Sequence, residues 1–248
     1  MANDNLVSRL QATENGAPID RAILDRVEVQ FQTIFEKIAE TIQPTTHETI
    51  EYREWLDKFP RPGRRFYEQH AEAFNSSQFF KNLLKCLLAC SVASERFKPT
   101  KLAIDLGAGG GPMSLAAISA LGVEKALLID ESAAQLHLAR NVGNAMSFSE
   151  RLSFMRAHIP IDASFQNLNV YSSYWLSENP ADAKEIAEAH EGCSSFLIVD
   201  TPSIVDSILD KMSEHFDIRS GSVRFSVEHA EAGVEGGGGE FGFVYGSM

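Results

Sequence analysis

Apolar side chains recur every three or four residues through the first hundred positions, a spacing that places them on one face of an α-helix. The pattern predicts helices over residues 19–43, over 47–58, from Phe66 onward, and over 77–96. The first of these stops at Pro44, because proline cannot continue a helix. Residues 1–100 are therefore predicted to form a helical N-terminal region.

After residue 101, short apolar runs alternate with amphipathic stretches, which is typical of a parallel sheet with crossover helices. Seven strands are predicted, over residues 103–105, 125–130, 151–159, 167–178, 195–202, 222–229 and 241–245, and the fourth runs into a loop. The intervening helices are predicted over 113–121, 132–146 and 203–216. A glycine-rich connection joins the last two strands, and it is predicted to be either a hairpin connection or a mobile loop beside the active site. The fold class is therefore α/β.

The clearest candidate chemistry follows the first predicted strand. Asp105 ends this strand, and Gly107, Gly109 and Gly111 stand at alternate positions after it. Glycine has no Cβ and accepts left-handed backbone angles, so such a loop lets backbone amides approach a nucleotide-like ligand closely. Pro112 suits the first turn of a helix. It also stands where the dinucleotide fingerprint requires a third glycine, which disfavours an NAD-dependent oxidoreductase.

A second acid stands at the end of the next strand. Asp130 follows the apolar run 125–129 and precedes Glu131, about two dozen residues beyond the glycine loop. In nucleotide-binding α/β folds, an acid at this position accepts hydrogen bonds from ribose hydroxyls. A purely structural turn would leave both acids unexplained. The order of strand, glycine loop, helix, strand and acid therefore predicts a cofactor site.

This arrangement resembles the first motif of class I S-adenosylmethionine-dependent methyltransferases. The resemblance covers residues 101–248 and implies a Rossmann-like methyltransferase domain there, preceded by an N-terminal helical cap over residues 1–100. The sheet of this family has seven strands, of which the last is antiparallel and inserts between the fifth and sixth. The predicted hairpin at the C-terminus matches this topology, whereas a dinucleotide dehydrogenase would need another crossover helix.

By the same resemblance, the cofactor is S-adenosylmethionine. The glycine loop backs its methionine part, Asp105 holds its amino group directly or through water, and Asp130 binds the ribose. An adenine contact is expected at the end of the third strand, where both His158 and Asp162 are candidates. The predicted cofactor-binding residues are Asp105, Gly107, Ala108, Gly109, Gly111, Asp130, Glu131, His158 and Ser172.

The methyl acceptor is expected beyond the fourth strand, because ligands bind at the carboxyl ends of parallel strands. There Tyr174 and Trp175 are predicted either to wall the site or to be ordinary core aromatics, and Arg64 belongs to a basic stretch that could bind a carboxylate. The string SSYWLSE also resembles small-ribosomal-subunit-associated methyltransferases, although the cysteine-rich metal-binding segment expected there is missing. The predicted substrate residues are Tyr174, Trp175, Arg64 and Tyr67, and the candidate proton acceptors are Tyr174, His229 and Asp200.

Composition narrows the choice of acceptor. The chain carries 34 acidic residues against 22 lysines and arginines, a net charge of −12, and an acidic chain repels a nucleic-acid backbone.

No apolar run approaches the ~18 residues that cross a bilayer, and the start lacks the apolar centre of a signal peptide. We therefore expect a cytoplasmic protein with no membrane partner. Cys86, Cys90 and Cys193 are odd in number and are predicted to be packing thiols, so no metal is expected, and a homodimer is left open.

Three functions remain at this stage. The first is methyl transfer to a small-molecule or peptide acceptor, which the acidic charge favours. The second is an RNA- or ribosome-associated methyltransferase, which the string SSYWLSE suggests and which would show salt-sensitive RNA binding. The third is a partner protein that binds S-adenosylmethionine without catalysing a reaction.

Overall fold

The computed structural model describes residues 7–43, 64–94, 101–158, 165, 168–178, 190, 193–214, 216–230 and 239–247. The strands are β1 Val7–Glu14, β2 Ala17–Pro18, β3 Leu102–Leu106, β4 Lys125–Asp130, β5 Leu152–Arg156, β6 Asn169–Ser173, β7 Ser195–Asp200, β8 Asp217–Ala230 and β9 Gly239–Ser247. The helices are α1 Arg21–Ile42, α2 Arg64–Ala93, α3 Pro112–Ala116, α4 Ala133–Ala145, α5 Trp175–Glu178 and α6 Pro202–Ser213, and a π-helical turn over Ala117–Leu121 extends α3.

All the described strands belong to one sheet, in the order β2-β1-β8-β9-β7-β6-β3-β4-β5. The five strands from β7 to β5 are parallel to one another. Strand β9 is antiparallel to both of its neighbours and lies between β7 and β8. The α/β class and the inserted antiparallel last strand are therefore confirmed.

The predicted number of strands is wrong: the described sheet has nine strands rather than seven. Gly242 of β9 pairs with Asp200, the last residue of β7, on one side and with Ser222 of β8 on the other. Strand β8 continues from Ser222 to Ala230 and therefore extends beyond the end of β7. An exposed strand edge needs hydrogen-bond partners, and β1 supplies them by pairing with β8 from Val223 to Ala230. The sequence does carry a signal for β1, because Asn-Gly between two short runs is typical of a tight hairpin.

Two apolar layers cover the sheet because successive side chains of a strand point to opposite faces. In β7, Leu197 and Val199 contact the layer formed by α1 to α4, whereas Phe196 and Ile198 contact the layer that contains α6. The apolar stripe of α1 packs in the first layer. The two N-terminal helices thus share one core with the sheet. The predicted division into a cap over residues 1–100 and a domain over residues 101–248 stays a prediction.

The helix boundaries follow local signals. The carboxylate of Asp20 accepts a hydrogen bond from the Ala22 amide (2.7 Å) and caps the start of α1. Two helices are predicted here, one from Phe66 onward and one over 77–96, whereas the structure has one helix, Arg64–Ala93, with a non-helical residue at His70. The predicted helix 47–58 lies outside the described residues. Within the described part of the chain, no helix combines the length and apolarity needed to span a bilayer.

Candidate functional site

The glycine loop lies at the carboxyl end of β3 and turns the chain into α3. Gly107, Gly109 and Gly111 have φ values of 63°, 53° and 89°, which other residues adopt only with strain. The amide of Ala108 donates to the carbonyl of Ile129 (3.1 Å) and ties the loop to β4. The three predicted glycines are therefore required by the backbone path, and their amides line the approach to the strand ends.

Asp130 holds the loop from the tip of β4. Its Oδ2 accepts a hydrogen bond from the Gly109 amide (2.8 Å), and its Oδ1 accepts one from the Ser132 amide (2.8 Å). Burial raises the pKa of this carboxyl group, and the two amides oppose the effect. Each carboxylate oxygen keeps acceptor capacity beyond these bonds. Asp130 can thus fix the loop and still accept hydrogen bonds from ribose hydroxyls.

Asp105 is fully buried under the loop. Its Oδ2 accepts hydrogen bonds from the amide (3.0 Å) and the hydroxyl (2.6 Å) of Ser114. No described group donates to Oδ1. Burial raises the pKa of Asp105 to about 7. Buried carboxylate oxygens are nearly always hydrogen-bonded, so Oδ1 leaves room for one more donor. Asp105 lies under the loop and does not itself line the cleft that opens there, so its contact with the amino group of the cofactor, directly or through water, stays a prediction.

A single cleft opens at the carboxyl ends of β3, β4 and β6, and it encloses about 910 Å³ when the solvent at its mouth is counted. The glycine loop forms its floor, and α2 forms the wall facing the loop. The predicted site residues that it brings together are Gly107, Ala108, Gly109, Asp130, Glu131, His158, Tyr67, Tyr174 and Trp175.

The other predicted residues occupy different places. Gly111 caps the start of α3, and Ser172 is buried on the face of β6 opposite to Ser173, which lines the cleft. Arg64 begins α2, and its side chain lies outside the described part. His229 lies in β8, where its backbone pairs with Ser8 of β1. It stands seven residues past Ser222, or about 23 Å along the strand. The roles of these residues stay predictions.

The end of the cleft where adenine is predicted to bind is open to solvent. Nδ1 of His158 lies 3.1 Å from Oε2 of Glu131, and the His158 side chain is 74% exposed. Ala157 lines the cleft beside it. The competing candidate, Asp162, lies outside the described residues. Of the two predicted adenine contacts, His158 is therefore the one that the structure places at the cleft.

Of the wall that α2 contributes, sequence reasoning predicted Tyr67 and missed the residues further along the helix. Asn75, Phe79 and Asn82 line the cleft at intervals of four and three residues, which places them on one helix face. The Asn75 amide donates to Oε1 of Gln135 (2.8 Å), and a Cβ on Gly110 would come within 2.6 Å of the Asn75 Oδ1. Two asparagines inside an otherwise apolar helical stripe were the signal that points to this wall.

Tyr174 and Trp175 close the end of the cleft beyond β6. Tyr174 has a φ of 56°, a strained value for an aromatic residue. Trp175 packs on the glycine loop so tightly that a Cβ on Gly107 would come within 2.2 Å of its ring. Burial raises the pKa of Tyr174, which favours the protonated phenol. The predicted role of Tyr174 as a proton acceptor is therefore less favoured than a role in packing or hydrogen bonding.

Asp200 stands at the tip of β7, next to Tyr174. Its Oδ1 accepts a hydrogen bond from the Thr201 amide (2.7 Å), and its Oδ2 accepts one from the Ser177 amide (3.1 Å). Burial raises the pKa of this carboxyl group too. The α2 residue Lys85 places its Nζ 4.4 Å from the centre of the Tyr174 ring. A charged and aromatic cluster therefore adjoins the cleft at the end where the acceptor is expected.

Neither a family model nor a curated protein sequence matches this chain. A solved structure from Pyrococcus horikoshii, assigned as an RNA methyltransferase, is 16% identical over 68% of this chain and 84% of its own, with a TM-score of 0.50. The precorrin 8w decarboxylase of Methanobacterium thermoautotrophicum is 13% identical over 66% and 89%, with a TM-score of 0.51. At these identities the likeness concerns the fold, and together with the strand order it confirms the predicted class I methyltransferase fold.

Proposed function

We propose that this chain binds S-adenosylmethionine in the cleft and transfers its methyl group to a small-molecule or peptide acceptor. The observation that carries the proposal is the convergence of the left-handed glycine loop, Asp130 and the orphaned Oδ1 of Asp105 at one set of strand ends. These groups provide acceptors for an amino group and for ribose hydroxyls on either side of a close-approach loop.

The cofactor would supply a methyl group on a positively charged sulfur, which is a good leaving group. The protein must then align the acceptor and keep water away. Trp175 packs on Gly107, and Phe79 approaches Gly110, so two aromatic side chains border the loop where the methyl group is expected. Asp105 and Asp130 fix the two ends of the cofactor and thereby its orientation.

The class of acceptor follows from charge. With a net charge of −12, the chain repels polyanions at long range. The alternative function, an RNA-directed methyltransferase, is supported by the assignment of the Pyrococcus horikoshii protein. Tight RNA binding that weakens steeply with salt would select this alternative.

The third function, a partner protein that binds S-adenosylmethionine without catalysing a reaction, is excluded if mass spectrometry detects methyl transfer to any acceptor.

Calorimetric titration with S-adenosylmethionine and with NADH tests the cofactor. We expect the first to bind and the second not to bind. Asp130→Ala is expected to weaken S-adenosylmethionine binding by about 1–3 kcal/mol, because a hydrogen-bonded carboxylate is lost. The matched control is Asp217→Ala, an exposed carboxylate at the start of β8, which should leave binding unchanged. Equal affinity of the two variants would contradict the assignment of Asp130.

A further inference from the structure

Contacts along α2 show which part of this helix faces each end of the cleft. Glu68 accepts a hydrogen bond from Nη2 of Arg156 (3.0 Å), the last residue of β5, so the first turns of α2 lie beside that strand. Further along the helix, Lys85 lies over the ring of Tyr174, which directly follows β6. Asn82 lines the cleft one turn before Lys85. Asn82 therefore belongs to the end of the cleft beside β6, where the methyl acceptor is expected.

The two ends of the cleft differ in charge. The carboxylate and imidazole side chains that line it lie at or just past the ends of β4 and β5, and they are Asp130, Glu131 and His158. The end beside β6 is lined by uncharged side chains, namely Asn82, Ser173, Tyr174 and Trp175. Among the described residues, none of the lysines or arginines lines the cleft. The end beside β6 is thus polar only through neutral groups.

Two charged groups adjoin this end without lining it. Lys85 and Asp200 both interact with Tyr174, but neither of them lines the cleft. Their charges are opposite and interact with each other, since Asp200 opposes the fall in the pKa of Lys85 that burial causes. In the described part of the chain, an ionised ligand group at this end would therefore lose its water without gaining an uncompensated opposite charge, which is costly.

Asn82 is the polar side chain at this end that is available to a ligand. It is half-buried and forms no hydrogen bond with a described residue, and its polar atoms remain accessible. Ser173 differs, because its side chain hydrogen-bonds to the thiol of Cys86. A carboxamide carries two N–H donors and an acceptor oxygen but no charge. Asn82 can therefore bind a neutral polar group and cannot neutralise an ion.

The rest of the lining beside Asn82 is aromatic. Tyr174 and Trp175 both line the cleft and are only half-buried. Trp175 is held in place by the glycine loop, since a Cβ on Gly107 would come within 2.2 Å of its ring. Aromatic side chains that keep accessible surface inside a cleft favour apolar and planar ligand groups, which they contact by stacking or by their edges.

We propose, on the basis of the function above, that the methyl acceptor is an uncharged aromatic small molecule and that Asn82 selects it by a hydrogen bond to a polar substituent on its ring. The ring lies against Tyr174 and Trp175, and the substituent faces α2. A carboxylate or a protonated amine is rejected because this end offers no opposite charge. Asn82 is thus a specificity-determining residue that binds the acceptor and takes no part in breaking or forming bonds.

Three probes with the same ring separate charge from shape: benzamide, benzoate and benzylamine, which are neutral, anionic and cationic at neutral pH. Each is titrated by calorimetry into protein saturated with S-adenosylhomocysteine, which occupies the cofactor end. We expect benzamide to bind about tenfold more tightly than either ion, because an ion must be desolvated without compensation. Asn82→Leu, which has a similar volume, should weaken benzamide binding about three- to tenfold, as expected for the loss of one hydrogen bond.

Asn82→Asp places a carboxylate at this end with almost no change in shape. It should raise the affinity of benzylamine relative to that of benzamide about fivefold, a shift that is limited because Lys85 lies one turn away and shares the new charge. The matched control is Asn141→Asp, because Asn141 is exposed on α4 and does not line the cleft. This control should keep the wild-type order of the three probes.

Titration with S-adenosylhomocysteine alone shows that each variant is folded and separates the two proposals. If wild type binds neither S-adenosylhomocysteine nor S-adenosylmethionine, the proposed function fails. If S-adenosylhomocysteine binds but no probe does, or if the two ions bind as tightly as benzamide, the acceptor class is overturned. If Asn82→Leu binds benzamide as wild type does, or Asn82→Asp keeps the wild-type ratio, the assignment of Asn82 is overturned.

Discussion

The two ends of the cleft are built in different ways. The cofactor end comes from one continuous stretch, residues 105–132, in which backbone amides bind both oxygens of Asp130. The end where the acceptor is expected combines α2, the tip of β6 and the tip of β7, and there the buried hydroxyl of Tyr174 has no hydrogen-bond partner among the described residues. The end where the cofactor is proposed is thus preorganised by local hydrogen bonds, whereas the other end is assembled from elements that are distant in the chain.

Among the variants that test this contrast, Gly107→Ala is expected to have the largest effect on the free energy of unfolding. A Cβ at this position would come within 2.2 Å of the Trp175 ring, at a φ of 63°. We expect a loss of roughly 4–5 kcal/mol in the free energy of unfolding, about 1–2 from the left-handed backbone and about 3 from the overlap. Gly122→Ala is the control, because its φ is 73° and nothing lies within 4 Å. Urea unfolding that gives equal losses for the two variants would refute the close packing of Trp175.

The second test uses pH to probe Asp105. Burial raises its pKa in the folded chain from 3.8 to about 7, so between these values the folded state binds a proton that the unfolded state has lost. The free energy of unfolding should therefore fall by about 3 kcal/mol as the pH rises from 4 to 7. Asp105→Asn should remove this part of the slope in urea unfolding measured across that range.

Asp130 and Asp200 contribute a residual slope of the same sign, since burial raises the pKa of both carboxyl groups. Asp217→Asn, on an exposed carboxylate, is the control and should keep the full slope. S-adenosylmethionine should flatten it, because a cationic amino group near Asp105 favours the carboxylate. An unchanged slope in Asp105→Asn would show that this buried acid does not retain its proton.

The smallest effect is expected at the adenine end. His158 is 74% exposed and contacts Glu131 at 3.1 Å. Exposed pairs of this kind contribute about 0–1 kcal/mol, so His158→Ala should change the affinity for S-adenosylmethionine by less than about 1 kcal/mol in calorimetry. A loss as large as that of Asp130→Ala would mean that the open end of the cleft closes over the cofactor.

The same contrast explains what the sequence could predict. The acids and glycines between residues 105 and 131 lie close together in the chain, so their spacing alone indicates the site. Asn75 and Asn82 reach the cleft because α2 packs across the strand ends; two asparagines in an apolar helical stripe indicate that this face meets something polar, but the stripe alone does not tell where α2 packs. Strand β1 was missed because its hydrogen-bond partner, β8, lies more than 200 residues further along the chain.

This long-range pairing affects how the protein is made. The Ser222 amide donates to Oδ1 of Asn15 across 207 positions, and Leu10 pairs with Val227. During synthesis, β1 leaves the ribosome about 200 residues before β8, and in that interval its strand pairing is limited to the two residues of β2. Sheets closed by such distant segments fold slowly and expose an unpaired strand meanwhile. The β1–β8 ladder is therefore expected to form last and to be the step at which a nascent chain is most prone to aggregate.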